Sequence, residues 1–315
     1  MISSSRQPNS SFRKKGRGNV FIRLAVLLIV LFALILFLKN AGLSEKKGVT
    51  TNEDIVGLWN KMKYKELINK SAGILEDNPL NPTVLIYTGL ANFYYGNTFY
   101  KYEEKIGFID RAIVLLRKAL LLKGRGRIPS KVKAQITNVL GKAYFYKGKF
   151  YMDLSILYIE KAIKDGYIDD STYEHLGLAY KHIGRYDESI FYLKKISGEK
   201  RSDFILFELA KVYLKKKKIR EAGKLLKEAE ALSRNDIRLE LIRIELGKLF
   251  ILEKKFTEAL DQFLLIVNKN SNSYYGYLYL GDVYKELSED VKKRAAWKKA
   301  YRLNNSIEIR KRLYN

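Results

Sequence analysis

The sequence predicts an all-α solenoid of about six helix–turn–helix repeats, with a degenerate repeat at its N-terminal end, preceded by a transmembrane helix. Three observations predict this fold class. Helical periodicity starts near residue 53 and continues almost to the C-terminus, small and bulky positions recur about every 34 residues, and residues 24–38 are apolar without interruption. The 315 residues include only 4 prolines, which suits helices because interior proline breaks them.

The N-terminal segment divides into a tail and an apolar helix. Residues 1–19 are rich in Ser, Arg, Lys and Gly without periodicity, so they are predicted to form a disordered basic tail in the cytoplasm. Residues 20–39 are predicted to form a transmembrane signal anchor, because about 20 residues at about 1.5 Å each span the roughly 30 Å of bilayer hydrocarbon. Arg23 lies in the first turn, where its long side chain reaches the head groups.

A cleaved signal peptide is the alternative interpretation of this segment. The basic start fits it, but the apolar run is long, and the nearest candidate cleavage sequence, LKNAG at residues 38–42, is weak. Five basic residues in the first 19 precede the apolar run, and three follow it at Lys39, Lys46 and Lys47. This excess predicts a cytoplasmic N-terminus and a C-terminal domain across the membrane.

The clearest repeat lies between Tyr173 and Ile196. Leu176, Gly177 and Tyr180 share one helical face, and Ser189 and Leu193 lie on the inner face of a second helix. The small residue at Gly177 lets these two helices approach closely. This pattern resembles the tetratricopeptide repeat (TPR) family over residues 54–305, which implies a right-handed superhelix of stacked helix pairs.

The same register extends through the chain. The small residues of the first helices are Ala91, Gly141, Gly177, Ala210, Gly247 and Gly281, and the bulky residues of the second helices are Leu116, Ile159, Leu193, Leu226, Phe263 and Trp297. Before them, Tyr64 to Ile74 resembles the second helix of a degenerate repeat. The predicted domains are a linker at residues 40–52, a solenoid at 53–305 and a capping helix at 306–315.

Composition and motifs exclude several classes of function. The chain has 0 cysteines, which excludes disulfides and thiol catalysis, and its 2 histidines leave little material for a metal site. No glycine-rich phosphate loop, GxSxG or HExxH motif is present. Packing or surface positions are the preferred interpretation of His175 and His182. The sequence therefore predicts a protein that is not an enzyme and holds no cofactor or metal.

The chain is strongly basic, with a formal net charge of +25. Residues 40–315 alone hold 52 basic and 34 acidic residues, a net charge of +18. Such a field favours anionic partners. The plainer alternative is that lysines only solvate the helices, and both the run Lys215–Lys218 and the basic residues at 292–312 are first interpreted in this way. Nucleic-acid binding is not expected, because no known module is present.

The TPR resemblance implies a concave groove formed by the first helix of every repeat. Transferred repeat by repeat, its positions are Asn92 and Tyr95, then Asn138, Lys142, Phe145 and Tyr146, then Glu174, Lys181 and His182, then Phe207, Lys211 and Lys215, then Lys248, then Asp282 and Lys285. Lys142, Lys211 and Lys248 occupy equivalent positions, beside aromatic residues. A protein or peptide bearing acidic groups is the predicted ligand. The alternative is that these lysines only keep the groove hydrated.

Together these features predict a membrane-tethered scaffold that binds protein or peptide partners in envelope or membrane-complex assembly or in protein export. Bacterial inner-membrane TPR proteins of this layout look most similar, which implies a periplasmic repeat domain. The alternative function is a binder of anionic polymer or lipid through the basic surface, with the repeats as support. The sequence leaves the partner and the oligomeric state open.

Overall fold

The computed structural model describes residues 50–122 and 128–314, and within them it contains fifteen α-helices and no strand. The helices are α1 (Asn52–Asn60), α2 (Tyr64–Asp77), α3 (Pro82–Gly96), α4 (Tyr102–Leu121), α5 (Ser130–Lys147), α6 (Met152–Lys164), α7 (Thr172–His182), α8 (Tyr186–Lys194), α9 (Asp203–Lys215), α10 (Ile219–Leu232), α11 (Asp236–Leu252), α12 (Phe256–Lys269), α13 (Tyr274–Glu286), α14 (Asp290–Leu303) and α15 (Ile307–Tyr314). The predicted all-helical repeat architecture is confirmed.

The predicted tail and transmembrane helix, at residues 1–39, and the linker as far as residue 49 lie outside the described residues. Among the helices at 50–122 and 128–314, none combines the length and apolar character that crossing a bilayer requires. Residues Ile55–Asn315 form one compact unit by their contacts, and Met1–Asp54 is grouped separately. In that N-terminal group, the backbone N–H of Thr51 donates to Oδ2 of Asp54 at 2.8 Å, where α1 begins.

From α2 onward every helix packs against the next one in the chain, as stacked helix pairs require. The first helices of successive pairs also contact one another, α3 with α5, α5 with α7, α7 with α9 and α11 with α13. One side of the array is therefore made by first helices. We call this side the groove face, and the exposed side of the second helices the outer face.

Glycine permits the close packing of the two helices within a pair. A Cβ atom added at Gly177 would lie 2.7 Å from Cγ of Leu193, and one at Gly281 would lie 2.1 Å from Cδ1 of Trp297. Both distances are too short for real carbon atoms. The small and bulky positions of the predicted register therefore meet in the structure.

The first full pair departs from that register. Gly89, not Ala91, faces the bulky residue Leu116, since a Cβ at Gly89 would lie 2.6 Å from its Cδ2. Ala91 packs instead in an apolar cluster with Ile55 and Leu67 of the preceding helices. In this pair the glycine and the bulky residue are 27 residues apart in the chain, against 16 for Gly177 and Leu193.

Tight turns join the two helices of several pairs, and one residue in each turn has a positive φ. These residues are Met62 (55°), Gly184 (80°), Lys217 (58°), Lys254 (58°) and Ser288 (61°). Each lies two residues before the second helix begins. The run Lys215–Lys218 thus closes α9 and forms this turn.

Helix α15 covers the C-terminal end of the last pair. Ile309 is fully buried in a cluster with Leu278, Trp297 and Ala300. The hydroxyl groups of Tyr274 and Ser306 lie 2.7 Å apart and join α13 to the segment before α15. The apolar edge of α13 and α14 is therefore shielded from water.

Candidate binding groove

The predicted groove residues lie on the first helices α3, α5, α7, α9, α11 and α13. Their surroundings divide them into four groups. Some are buried polar residues, some are packed aromatic residues, some are charged residues already paired within this chain, and some remain exposed. A ligand has free access to the last group.

Lys142 and Asn138 link α5 to the segment before α7. Nζ of Lys142, a residue only 5% exposed, lies 2.6 Å from both carboxylate oxygens of Asp169 and 2.7 Å from Oγ of Ser171. Asn138 is fully buried, and its Nδ2 donates to Oδ2 of Asp169 at 2.9 Å while its Oδ1 accepts from Oγ1 of Thr172 at 3.3 Å. Both side chains hold two repeats together.

The same cluster shifts the ionisation of both partners. Burial lowers the pKa of Lys142, although the ion pair with Asp169 opposes this. Burial acts to raise the pKa of Asp169, but hydrogen bonds from Lys142, Thr172 and the N–H of Ser171 hold it below its usual range. A ligand carboxylate would have to displace Asp169 to reach this ammonium group.

Lys181 and Lys211 share one buried carboxylate. Glu208 is 7% exposed, forms an ion pair with Lys181, and accepts from Nζ of Lys211 at 3.0 Å. Burial lowers the pKa of Lys181, against the opposing effect of Glu208. Phe207 is buried, and Nζ of Lys211 lies 5.0 Å from its ring centroid. These predicted groove residues connect α7 to α9.

Phe145, Tyr146 and two histidines form an aromatic cluster between α5 and α7. The ring centroid of Phe145 lies 5.1 Å from that of His175 and 6.1 Å from that of His182. Nδ1 of His175 lies 2.8 Å from the carbonyl oxygen of Ser171, and Nε2 lies 3.2 Å from the hydroxyl of Tyr146. A carbonyl only accepts, so Nδ1 carries the proton and Nε2 accepts from the hydroxyl.

The two histidines differ in exposure. His175 is buried, and burial lowers its pKa to about 4, so the ring is neutral at physiological pH. His182 is exposed at the end of α7, and its pKa is lowered in the same direction by partial burial and by Lys181. The packing interpretation therefore fits His175, and His182 stays accessible on the groove face.

Asn92 and Tyr95 lie on α3. Asn92 is 1% exposed and its Nδ2 donates to the carbonyl oxygen of Thr88 at 2.8 Å. Its Oδ1 and Oγ1 of Thr88 have no hydrogen-bond partner among the described residues. Tyr95 packs edge-on against Phe99 and Phe108, with centroids 5.3 Å and 5.0 Å away. This cluster ties the turn after α3 to α4.

Glu174 differs from the other acidic groove residues. Burial raises the pKa of its half-buried carboxyl group, and the nearby charge of Lys142 opposes this shift. Within the part of the chain that the structure describes, Glu174 has no hydrogen bond or ion pair at contact distance. The groove face of α7 therefore presents an acidic group near its N-terminal end, about two helical turns before His182.

Towards the C-terminus, Lys248 and Asp282 are also engaged. Nζ of Lys248 donates to Oε1 of Glu245 at 2.8 Å, and this pairing raises the pKa of Lys248 despite the opposing effect of burial. Asp282 accepts from Nε and Nη2 of Arg312 at 2.7 Å and 2.8 Å, and from Nε1 of Trp297 at 3.2 Å. Arg312 belongs to α15, so the capping helix reaches into the groove face.

Ion pairs thus recur between neighbouring first helices. Besides the pairs above, Nη1 of Arg238 on α11 donates to both carboxylate oxygens of Asp203 on α9, at 2.8 Å and 3.0 Å. One ion pair of this kind lies at each junction between successive first helices from α5 to α11, and one more lies between α13 and the capping helix α15. Their acidic and basic members lie 27 to 35 residues apart in the chain. We call them the junction ion pairs.

Two adjoining clefts open on the groove face near the C-terminus. The larger, the C-terminal cleft, has a volume of about 920 Å³ between α11, α13, α14 and α15. Its charged lining is Lys248, Lys285, Lys293, Arg294, Lys311 and Arg312 with Asp282 and Glu286. The smaller, of about 430 Å³, lies against α9 and α11 and includes Lys211 and Lys215. The two clefts share Lys248 and Leu252, so they form one continuous surface.

Four cations on this surface are exposed and have no ion pair within residues 50–122 and 128–314. They are Lys215, Lys285, Arg294 and Lys311. The apolar side chain of Leu252, 70% exposed, lies between them, and Tyr279 and Trp297 line the larger cleft. This combination of free cations and apolar surface can take an anionic ligand with bulky side chains.

Sequence reasoning identified Glu174 and Asp282 but missed the acidic partners of the groove lysines. Glu208 and Glu245 lie three residues before Lys211 and Lys248, a helical spacing that favours ion pairs, so a search for that spacing finds both. Asp169 lies before α7 and Arg312 on α15, and no local spacing connects them to Lys142 or Asp282. Only the stacking of repeats brings these residues together.

Comparisons with known proteins agree with this architecture. A family model described as Iml2/Tetratricopeptide repeat protein 39 matches residues 199–311, and a Tetratricopeptide repeat model matches residues 170–202. No curated protein matches the sequence. The two family matches fall in the part of the chain where the predicted repeats are most regular.

Several solved structures share the fold. The C-terminal part of a TPR repeat-containing protein from Cytophaga hutchinsonii aligns with a TM-score of 0.61 at 15% identity, over 84% of this chain and 100% of that one. PilF of Pseudomonas aeruginosa aligns with a TM-score of 0.53 at 18% identity, over 71% and 95%. A chain of the APC/C hetero-tetramer Cut9–Hcn1 aligns with a TM-score of 0.51 at 13% identity, over 90% and 52%. The chain is thus a TPR-like solenoid.

Proposed function

We propose that this protein is a non-enzymatic, membrane-tethered TPR scaffold that binds an acidic segment of a partner protein on the groove face around the C-terminal cleft. The observation that carries the proposal is the set of free cations there. Lys215, Lys285, Arg294 and Lys311 have no intramolecular ion pair within the described residues, whereas the lysines in the middle of the groove do.

The distinction between paired and free lysines matters for affinity. A ligand carboxylate that approaches Lys142 or Lys181 must replace Asp169 or Glu208, both held in part-buried pairs, and leaves that carboxylate without its partner. A carboxylate that approaches Lys285 or Lys311 loses only water. The free cations therefore give a net attraction, while the paired lysines keep the groove in shape.

The cleft also favours a particular partner sequence. Leu252 is exposed between the charges, and half-buried Tyr279 supplies ring surface, so a partner segment with acidic residues around a bulky apolar one matches both features. Cut9–Hcn1, whose structure is a hetero-tetramer, supports a protein partner for a fold of this kind. We extend this kind of partner, a protein, to the groove face of the present chain.

The tether in this proposal rests on the apolar residues 24–38. An anchor confines the groove to one membrane surface and raises its effective concentration for membrane-bound partners. Envelope assembly, membrane-complex assembly or protein export in a bacterial inner membrane fits a cytoplasmic N-terminus and a periplasmic repeat domain. Protease treatment of intact spheroplasts tests this topology, with digestion of the repeat domain expected and full protection contradicting it.

The groove assignment is tested by charge reversal of the free cations. The full chain with Lys215→Glu, Lys285→Glu and Lys311→Glu is compared with a control of equal charge, Lys65→Glu, Lys131→Glu and Lys298→Glu, three exposed lysines outside the two clefts. Partners are captured by in-cell crosslinking and quantified by mass spectrometry. We expect the principal partner to be lost at least tenfold in the first variant and retained in the control.

Two results would contradict the proposal. Equal loss in both variants would indicate binding by total charge, the anionic-polymer alternative, and would come with a steep decline as salt increases. Equal retention in both would place the partner outside the C-terminal cleft.

A further inference from the structure

One wall of the C-terminal cleft is made by the capping helix. Lys311, Arg312 and Leu313 of α15 belong to its lining, and the other lining residues come from α11, α13 and α14. α15 has only eight residues, and a helix of that length is not stable by itself in water. The shape of the cleft therefore depends on the contacts that hold α15 in place.

α15 is the least firmly packed of the four helices that line the cleft. One of its residues, Ile309, is buried, whereas α11, α13 and α14 each bury three or more. Ile307 and Tyr314, at the two ends of α15, are 68% and 76% exposed. Its polar attachment is Arg312, which donates from Nε and Nη2 to the two carboxylate oxygens of Asp282 at 2.7 Å and 2.8 Å. So few buried contacts indicate that α15 opens while the last helix pair stays folded.

The charge of the cleft changes when α15 opens. Without Arg312, the carboxylate of Asp282 keeps only the 3.2 Å hydrogen bond from Nε1 of Trp297 among the described residues, and it lies in the cleft. Lys311 leaves with the same helix. Glu308 leaves too, but it accepts from Nη1 of Arg312 at 3.2 Å and does not line the cleft. Opening therefore unpairs an acidic group and removes a free cation where an acidic ligand would bind.

We propose that α15 is the gate of the C-terminal cleft: an acidic partner segment binds when α15 is docked and, once bound, keeps it docked. This inference rests on the proposed function, because it assigns a regulation to the same cleft. Lys285 on α13, Arg294 on α14 and Lys311 on α15 are exposed and lack an ion pair in the part of the chain that the structure describes. A ligand that contacts all three connects α15 to the last pair.

Thermodynamic linkage makes the two effects reciprocal. The factor by which the ligand slows the opening of α15 equals the factor by which docking of α15 strengthens ligand binding. Two independent measurements must therefore give the same number. The probe for both is a synthetic fluorescein-labelled peptide of four glutamates around one phenylalanine, with glutamines in place of the glutamates as the uncharged control.

Amide hydrogen exchange of the full chain, with and without saturating peptide, is the first measurement. We expect exchange in residues 307–314 to slow by at least about tenfold in the complex. Exchange in α13 and α14 should change much less, because these helices stay packed when α15 opens. The glutamine peptide should leave exchange in α15 unchanged.

Ile309→Asn provides the second measurement. Ile309 is buried beneath α15 and does not line the cleft, so this change puts an amide into an apolar cluster and opens α15 without altering any charge. Peptide affinity, measured by fluorescence anisotropy, should fall at least about tenfold and approach the factor found by exchange. Ile307→Asn, at an exposed position of the same helix, is the matched control and should bind like the unchanged protein.

The possible failures are distinct. Unchanged affinity in Ile309→Asn, or exchange in α15 that ignores the peptide, would overturn the gate and leave the cleft as a binding site. Equal slowing throughout α13, α14 and α15 would mean that the ligand stabilises the whole last pair, which also contradicts a separate gate. Absence of binding to the unchanged protein would overturn the proposed binding in the cleft and the gate with it.

Discussion

Nζ of Lys142 lies 2.6 Å from both carboxylate oxygens of Asp169, 27 residues further along the chain, and Lys142 is 5% exposed. A lysine at a groove position thus serves as a structural link between two repeats. Lys142→Met should destabilise the array by about 2–4 kcal/mol, because the part-buried carboxylate of Asp169 loses the charge that pairs with it. Urea unfolding measures the loss.

The matched control for this change is Lys131→Met on the same helix. Lys131 is exposed and has no ion pair within the described residues, so its replacement should change stability by less than about 0.5 kcal/mol. Equal effects of the two substitutions would show that the link to Asp169 does not stabilise the fold.

Gly281 tests the close packing of α13 on α14. In Gly281→Ala the new Cβ would lie 2.1 Å from Cδ1 of Trp297, and because the indole is buried it has little room to move. We expect a loss of about 2–3 kcal/mol in the free energy of unfolding.

Gly107→Ala on α4 is the control for the glycine substitution. A Cβ there meets nothing within 4 Å, so the higher helix propensity of alanine should stabilise the protein by about 0.5–1 kcal/mol. Thermal unfolding followed by circular dichroism distinguishes the expected loss of stability in Gly281→Ala from the expected gain in Gly107→Ala. A neutral Gly281→Ala variant would refute the packing argument.

The burial of His175 makes the stability of the array depend on pH. Its pKa is about 4 in the folded protein, against 6.5 as the usual value, so the unfolded chain binds the additional proton first as pH falls. The contribution of the neutral ring is complete above pH 6.5 and is lost between pH 6.5 and pH 4, on the order of 3 kcal/mol.

The measurement is urea unfolding at several pH values across that window. His175→Gln removes the titrating group, so its stability should fall less steeply with acid than that of the unchanged protein. His182→Gln, at an exposed position, should change the slope much less. Parallel curves for the unchanged protein and His175→Gln would contradict the assigned role of burial.

Arg312 determines how firmly α15 is held. Arg312→Met removes the hydrogen bonds to both carboxylate oxygens of Asp282 but leaves Ile309 buried, so α15 should open more often without unfolding the array. Amide hydrogen exchange in residues 307–314 should accelerate about tenfold or more. Arg310→Met, at an exposed arginine whose side chain makes only one described hydrogen bond, to the carbonyl oxygen of Asn305, is the control and should leave exchange unchanged.

The helix pairs could be predicted from sequence because their determinants are local. Gly177 and Leu193 lie 16 residues apart. A small residue that faces a bulky one recurs at this spacing in later pairs, so the pattern is visible in the sequence. Gly89 and Leu116 lie 27 residues apart, outside the 16- to 18-residue spacing of the later pairs, so Ala91 was predicted in place of Gly89. The membrane anchor, the tail and the topology stay predictions, since residues 1–49 lie outside the described part of the chain.

The groove residues were harder to assign, for a physical reason. Lys142, Lys211 and Lys248 are equivalent by register, yet their carboxylate partners come from a following loop in one case and from the same helix in the other two. The i,i+3 spacing predicts the two pairs that form within one helix, but the pair of Lys142 with Asp169 forms across a junction between repeats. Packing across that junction brings the two residues together, and no spacing within one repeat encodes it.

The junction ion pairs have a mechanical consequence. They lie on the groove face, whereas other ion pairs between repeats, such as Lys216 with Asp187 and Arg243 with Glu230, involve the second helices α8 and α10. Loss of ion pairs along the groove edge alone would change the curvature of the array rather than its length. A polyanionic partner that competes for these lysines would bend the groove in the same sense, so the width of the groove becomes part of its affinity.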